Sequence, residues 1–258
     1  MVNYFDSWAR MASEIPVNIE KKEAKNIIKG SKIIAESISK GHVAFLFGSG
    51  HSSIPVEEMY PRYGGILGFI PILELPLSFF TQVIGNLGFS QFDYLENNAE
   101  YGQKILDNYI IHKEDTLIVF SHSGSTPVTT QIASSFKAQG GRVIGIISRH
   151  RTETSRSKHP SGKTIIDFSD VVIDTLVPDS DVSVKIGNSH LGPLSTIGSV
   201  AVANLLSIGV FLELRRMKIE PLINPVRAFD VESDRKMMEI LTRYREIYAA
   251  HISVARQK

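Results

Sequence analysis

Apolar runs of five to seven residues recur along the chain at 43–47, 68–73, 116–120 and 142–148, with a shorter one, Val171-Val172-Ile173, inside a last short strand at 170–174. Most are continuous rather than alternating, which predicts strands buried on both faces. The spacing between them is helical. Residues 3–40 predict two helices, the second over 23–40 with Ile27, Ile34 and Ile38 on one side and Gly41 as its stop. Further helices are predicted from Ser53 to about Tyr63, over 93–109, and from Pro127 with Val128, Ile132 and Phe136 on one face until Gly140-Gly141. A C-terminal amphipathic helix is predicted over 231–251, with Met238, Leu241 and Ile247 inward. Strands alternating with helices mean an α/β fold: a parallel sheet with helices on both faces and a helical N-terminal extension. Pro71 places its strand at an edge.

Two stretches depart from this rhythm. Residues 76–92 are apolar, with Phe79, Phe80 and Phe89, and predict a loop buried against a partner subunit. Residues 186–212 carry no charged side chain, but Asn188, His190, Asn204, Pro193 and several serines and glycines interrupt them. A buried or interface helix accounts for that pattern better than a lipid-facing one.

Composition narrows the classes. A chain of 258 residues, 43% hydrophobic and 21% charged, is of ordinary globular make-up, and a net charge of +1 offers no broad attraction to nucleic acid or an anionic membrane. The absence of cysteine removes disulfides, thiolate nucleophiles and cysteine-ligated metals, and is consistent with a cytoplasmic location. The start of the chain lacks the basic and apolar regions of a secretory signal. About forty residues precede the first strand, little room for a DNA-binding domain.

The candidate chemistry sits at the strand ends. After residues 116–120 comes Ser121-His122-Ser123-Gly124-Ser125-Thr126, then the helix opened by Pro127. Unpaired N–H groups at a helix start, its positive dipole end and several hydroxyls form an anion site, with a phosphate ester as the expected anion. The alternative is a polar loop whose hydroxyls cap the helix. Residues 43–47 lead into a second such turn, Gly48-Ser49-Gly50-His51-Ser52-Ser53. Ser53 stands where a dinucleotide fingerprint would need a third glycine. A basic run at 149–163 is either a solvated loop or a lid over an anionic substrate.

Together these motifs resemble the SIS (sugar isomerase) domain family over roughly residues 40–215, the serine motif being the more specific match. His159-Pro160-Ser161-Gly162-Lys163, followed by Ser169-Asp170-Val171-Val172, resembles a stand-alone branch known mainly by sequence. The resemblance implies a five-stranded parallel sheet in one domain over 1–258, helical extensions at about 1–40 and 217–258, and a homodimer or homotetramer with sites near subunit boundaries. It implies that Ser121, Ser123, Ser125 and Thr126 hold a phosphate with Ser52 opposite, and that Gly50, His51, His122 and Ser148 meet the sugar. Glu57-Glu58 with Arg62 resembles the glutamate motif of phosphoheptose isomerases, whose later histidine would correspond to His190. Leu95-Glu96-Asn97-Asn98-Ala99-Glu100 resembles the segment carrying the second acid of N-acetylmuramic acid 6-phosphate etherases.

Both reactions begin with removal of the proton alpha to a sugar carbonyl. Reprotonation next door gives aldose–ketose isomerisation, and loss of a C3 substituent gives elimination. A glutamate of raised pKa suits the base. Adjacent helix positions diverge by about 100°, so one of Glu57 and Glu58 faces the site, with Glu58 favoured. Isomerase is the leading expectation, with an etherase or lyase and a non-catalytic phosphosugar sensor as alternatives. No cofactor is expected, and the histidines show no metal-ligand spacing such as H-x-x-x-H.

Overall fold

The computed structural model describes residues 2–79, 88–226 and 232–252. Five strands form one parallel sheet in the order β2-β1-β3-β4-β5: β1 Ala44–Gly48, β2 Phe69–Ile72, β3 Thr116–Phe120, β4 Arg142–Ile147 and β5 Val171–Asp174. β2 lies at the edge, where Pro71 needs no ladder donor. β1 and β3 are buried at every position because both faces are covered.

Side chains alternate between two cores. On one face Ala44, Leu46, Ile118, Phe120, Ile144 and Ile146 pack with α1 (Val2–Ser39), α2 (Ile54–Met59) and the long helix Ser195–Arg216. On the other, Phe45, Phe47, Leu117, Val119 and Val143 pack with α3 (Leu75–Ser78), α4 (Gly88–Glu96), α5 (Ala99–Leu106) and α6 (Pro127–Ala138). α7 (Arg149–Thr154) follows β4; an antiparallel hairpin, β6 Val182–Ile186 and β7 Ser189–Pro193, precedes α8 (Ser195–Arg216); α9 (Ser233–His251) comes last.

Several expectations need correction. Residues 2–39 form one helix that runs through Pro16, because Ile15, Ile19, Ile27 and Ile34 make a single continuous buried stripe. The predicted 53–63 helix is a 3-10 turn, Gly50–Ser53, plus the shorter α2. The predicted 93–109 helix is two, broken where Asn98 caps α5 by accepting from the N–H groups of Glu100 and Tyr101. Residues 76–79 and 88–92 of the apolar stretch are largely helical, while 80–87, including Phe80, lie outside the described residues. The uncharged segment starts as the hairpin and becomes helical only at Ser195. On α9, Met238 and Leu241 face outward, and the inward stripe is Ile240, Tyr244, Ile247, Tyr248 and His251.

Candidate functional site

The strand order reverses direction between β1 and β3, and ligands of open α/β sheets bind at such a reversal, beyond the strands' carboxyl ends. Gly48 pairs in register with Phe120, so Ser49 and Ser121 leave the sheet side by side. The first turn doubles back so tightly that a Cβ on Gly48 would lie 1.9 Å from the Ser52 carbonyl oxygen. The second turn is braced from within. Ser121 Oγ accepts from Gly124 N–H at 3.1 Å, and Gly124 itself has φ +62°. Ser123 Oγ lies 3.3 Å from Thr126 Oγ1 and accepts from Ser125 N–H at 3.4 Å. Thr126 occupies the cap position of α6 in extended conformation, yet its side chain makes no cap hydrogen bond. The hydroxyls of Ser121 and Ser123 therefore brace the turn itself.

The two turns converge on a pair of adjoining cavities. The inner one, about 220 Å³, is lined by Ser49 and Ser52 from the first turn and by Ser121, His122, Ser123 and Thr126 from the second. The outer one, about 760 Å³, has Ser123, Ser125 and Thr126 on one wall and Arg151, Arg156 and Lys158 on another. Glu96, Ser123, Thr126 and Arg151 line both, forming the seam. The basic run thus lies along the outer cavity, with Lys158 Nζ 3.4 Å from Asn97 Oδ1 across it and Arg151 steadied by Asp179 at 3.1 Å.

Glu96 ends α4, and Ser49 Oγ donates to its Oε2 at 3.0 Å. Burial pushes its carboxyl above the usual glutamate range, against the Ser49 hydrogen bond and the attraction of Lys158, with Asp93 adding to the rise. Burial lowers the pKa of His122, whose ring nitrogens are both shielded from solvent and without a hydrogen-bond partner among the described residues.

Other candidates stand elsewhere. Glu58 accepts from Asn204 Nδ2 at 3.1 Å and pairs with Arg62, tying α2 to α8, while Glu57 is exposed; neither lines the cavities. His190 sits on the exposed hairpin opposite Lys185. His51 is exposed, and Gly50 is packed under the Phe92 ring. The Ser148 hydroxyl is committed to α7: it donates to Val177 O at 2.8 Å and accepts from Arg151 N–H. Conversely, Ser49, Asn97, Thr129 and Arg151 line the site without having been singled out. For Arg151 the signal was the basic run; for Asn97 it was the Asn-Asn pair, a cap signature inside a helical pattern.

A family profile described as the SIS domain matches residues 4–148, more than half of the chain. The chain belongs to the SIS domain family. This SIS chain is 30% identical over 218 residues to a UPF0309 protein of Thermoanaerobacter pseudethanolicus, covering 81% of the one and 86% of the other. Its fold is similar to that of a phosphoheptose isomerase from Francisella tularensis, with TM-score 0.52 and 12% identity over 82% of this chain and 98% of that one. A phosphoheptose isomerase from Neisseria gonorrhoeae gives TM-score 0.50 and 10% identity over 78% and 93%. At such identities the likeness is one of fold.

Proposed function

We propose that the joined cavities bind a sugar phosphate and that Glu96 removes the proton alpha to its carbonyl, the first step of aldose–ketose isomerisation. The observation that carries this reading is the position of Glu96, hydrogen-bonded to the first turn and bordering the phosphate-type second turn. Ser123, Ser125 and Thr126, with the helix-start N–H groups, suit phosphate oxygens, and Arg151 adds a charge-assisted donor. Phosphate held at that end supplies binding energy remote from the reacting carbons, which orients the substrate toward Glu96. The raised pKa brings Glu96 nearer the range where a general base works well.

Elimination is the second reading. It is favoured by the fact that Glu96, the acid matched to the etherases, borders the cavities, whereas Glu57, Glu58 and His190 do not. A panel of sugar phosphates in D2O, followed at the C2 proton by NMR, separates these readings. Isomerisation predicts deuterium uptake with aldose–ketose exchange, lost in Glu96→Gln while binding persists, and Ser123→Ala binds several-fold more weakly. Lactate release from N-acetylmuramic acid 6-phosphate would move the assignment to elimination. Tight binding without exchange on any sugar would make the protein a sensor and remove Glu96 from catalysis.

A further inference from the structure

The opposite end of the sheet gathers a second cluster of chemistry. His42 lies two residues before β1, and His112 and Asp115 lie just before the neighbouring β3. The last residue of α9, His251, joins them, held there because its carbonyl accepts from Ile110 N–H at 2.8 Å. Three of the chain's eight histidines therefore surround one fully buried carboxylate. His42 Nδ1 is 3.4 Å from Asp115 Oδ1, His251 Nε2 is 3.5 Å from the same oxygen, and His112 Nδ1 is 3.3 Å from Oδ2.

One hydrogen bond orients the His251 ring. His251 Nδ1 meets the Ile247 carbonyl at 2.7 Å, so that nitrogen is the one carrying hydrogen. The other, Nε2, is buried and faces Asp115 Oδ1 in an ion-pair contact at 3.5 Å. His42 repeats the arrangement: Nε2 faces Glu114 at 3.7 Å, leaving Nδ1 toward Asp115. A histidine oriented by a carbonyl or carboxylate on one nitrogen, with the other free, is the outer-shell pattern of a metal ligand. Asp115 is itself oriented by the backbone N–H groups of Val43 and His112.

We infer that His42, His112 and Asp115 form a binding site for a divalent transition metal of the zinc class at the start of β1 and β3, with His251 pairing the same carboxylate from α9. Imidazole and carboxylate ligands suit zinc, and one ligand atom from each of the three residues lies within 4.8 Å of the others, so that small side-chain turns bring them to the spacing of about 3.3–3.4 Å that a tetrahedral ion with bonds of about 2.0–2.1 Å requires. His42 stands 70 residues before His112, so no short motif joins the three ligands.

The test uses the full chain, stripped by dialysis against a chelator and titrated with Co2+ and then Zn2+. The expected result is one Co2+ per chain with the visible absorption of a tetrahedral site, displacement by Zn2+, and a higher thermal midpoint with zinc. His42→Gln and His112→Gln, at partly exposed positions that should still fold, each weaken zinc binding by about tenfold or more. Glu96→Gln binds zinc as the unaltered chain does. The inference is overturned if the unaltered chain takes up no stoichiometric metal, if the Co2+ spectrum is that of the solvated ion, if His42→Gln binds with undiminished affinity, or if Glu96→Gln abolishes binding.

Discussion

Glu96 shows how one residue's surroundings set its use. On the proposed reading its ionised form is the base, and proton abstraction then falls as pH drops through its folded pKa. Burial places that acid limb above the ordinary glutamate range, while the Ser49 hydrogen bond holds it down. Removing the donor in Ser49→Ala therefore raises the pKa further and moves the acid limb of C2-proton exchange to higher pH. The measurement is the pH profile of exchange for the two proteins with one sugar phosphate. An acid limb that stays where it was would mean that another group titrates. Glu58 makes the contrast: its charge is absorbed by Arg62 and Asn204, leaving it a tie between α2 and α8.

At the scale of elements, the site depends on where helices stop. The break between α4 and α5 leaves Glu96 and Asn97 at the cavity, and Asn98 makes the break by satisfying two N–H groups at the start of α5. Asn98→Ala should cost about 1 kcal/mol of stability, within the roughly 0.5–2 kcal/mol range for lost caps, whereas Asn98→Ser should cost little. Urea unfolding of both variants measures this; an unchanged midpoint for Asn98→Ala would show that the cap does not hold the break. Such features explain what could be read from the chain beforehand. The strands and the Pro127 helix were legible because each is a continuous apolar run or a clear periodicity, and both turns because glycines and hydroxyls concentrate there. The pairing of Glu96 with Ser49 was not, because it joins positions 47 residues apart through packing that no local pattern encodes. On α9, Ile247 faces inward as expected, and Met238 and Leu241 do not, for a different reason. Two of its five inward residues are tyrosines, Tyr244 and Tyr248, whose rings pack inside while their hydroxyls make them look polar in the sequence.

Considered as a whole molecule, the fold leaves α8 half covered. Val202, Leu206, Val210 and Leu214 are fully buried, and Gly209 lies so close to α1 that a Cβ there would stand 2.2 Å from Ser31 Oγ. The opposite face carries Asn204, Ile208 and Leu212 at helical spacing, with Ile208 58% and Leu212 60% exposed. By length and composition this helix could cross a membrane. We propose that a protein partner covers the exposed face, because Asn204 and the Glu58–Arg62 ion pair lie beside it, and charged groups in lipid are costly. A second copy of the chain, meeting this face with the same uncharged stripe, would bury both side chains, with roughly 1.5–3 kcal/mol available from each. Light scattering across a dilution series should therefore show a self-associated species that Ile208→Glu with Leu212→Glu converts to monomer without loss of helical signal. A monomer at every concentration in the unaltered chain would rule out that partner. Dissociation in the double variant with phosphosugar binding intact would show that the cavities are complete within one chain.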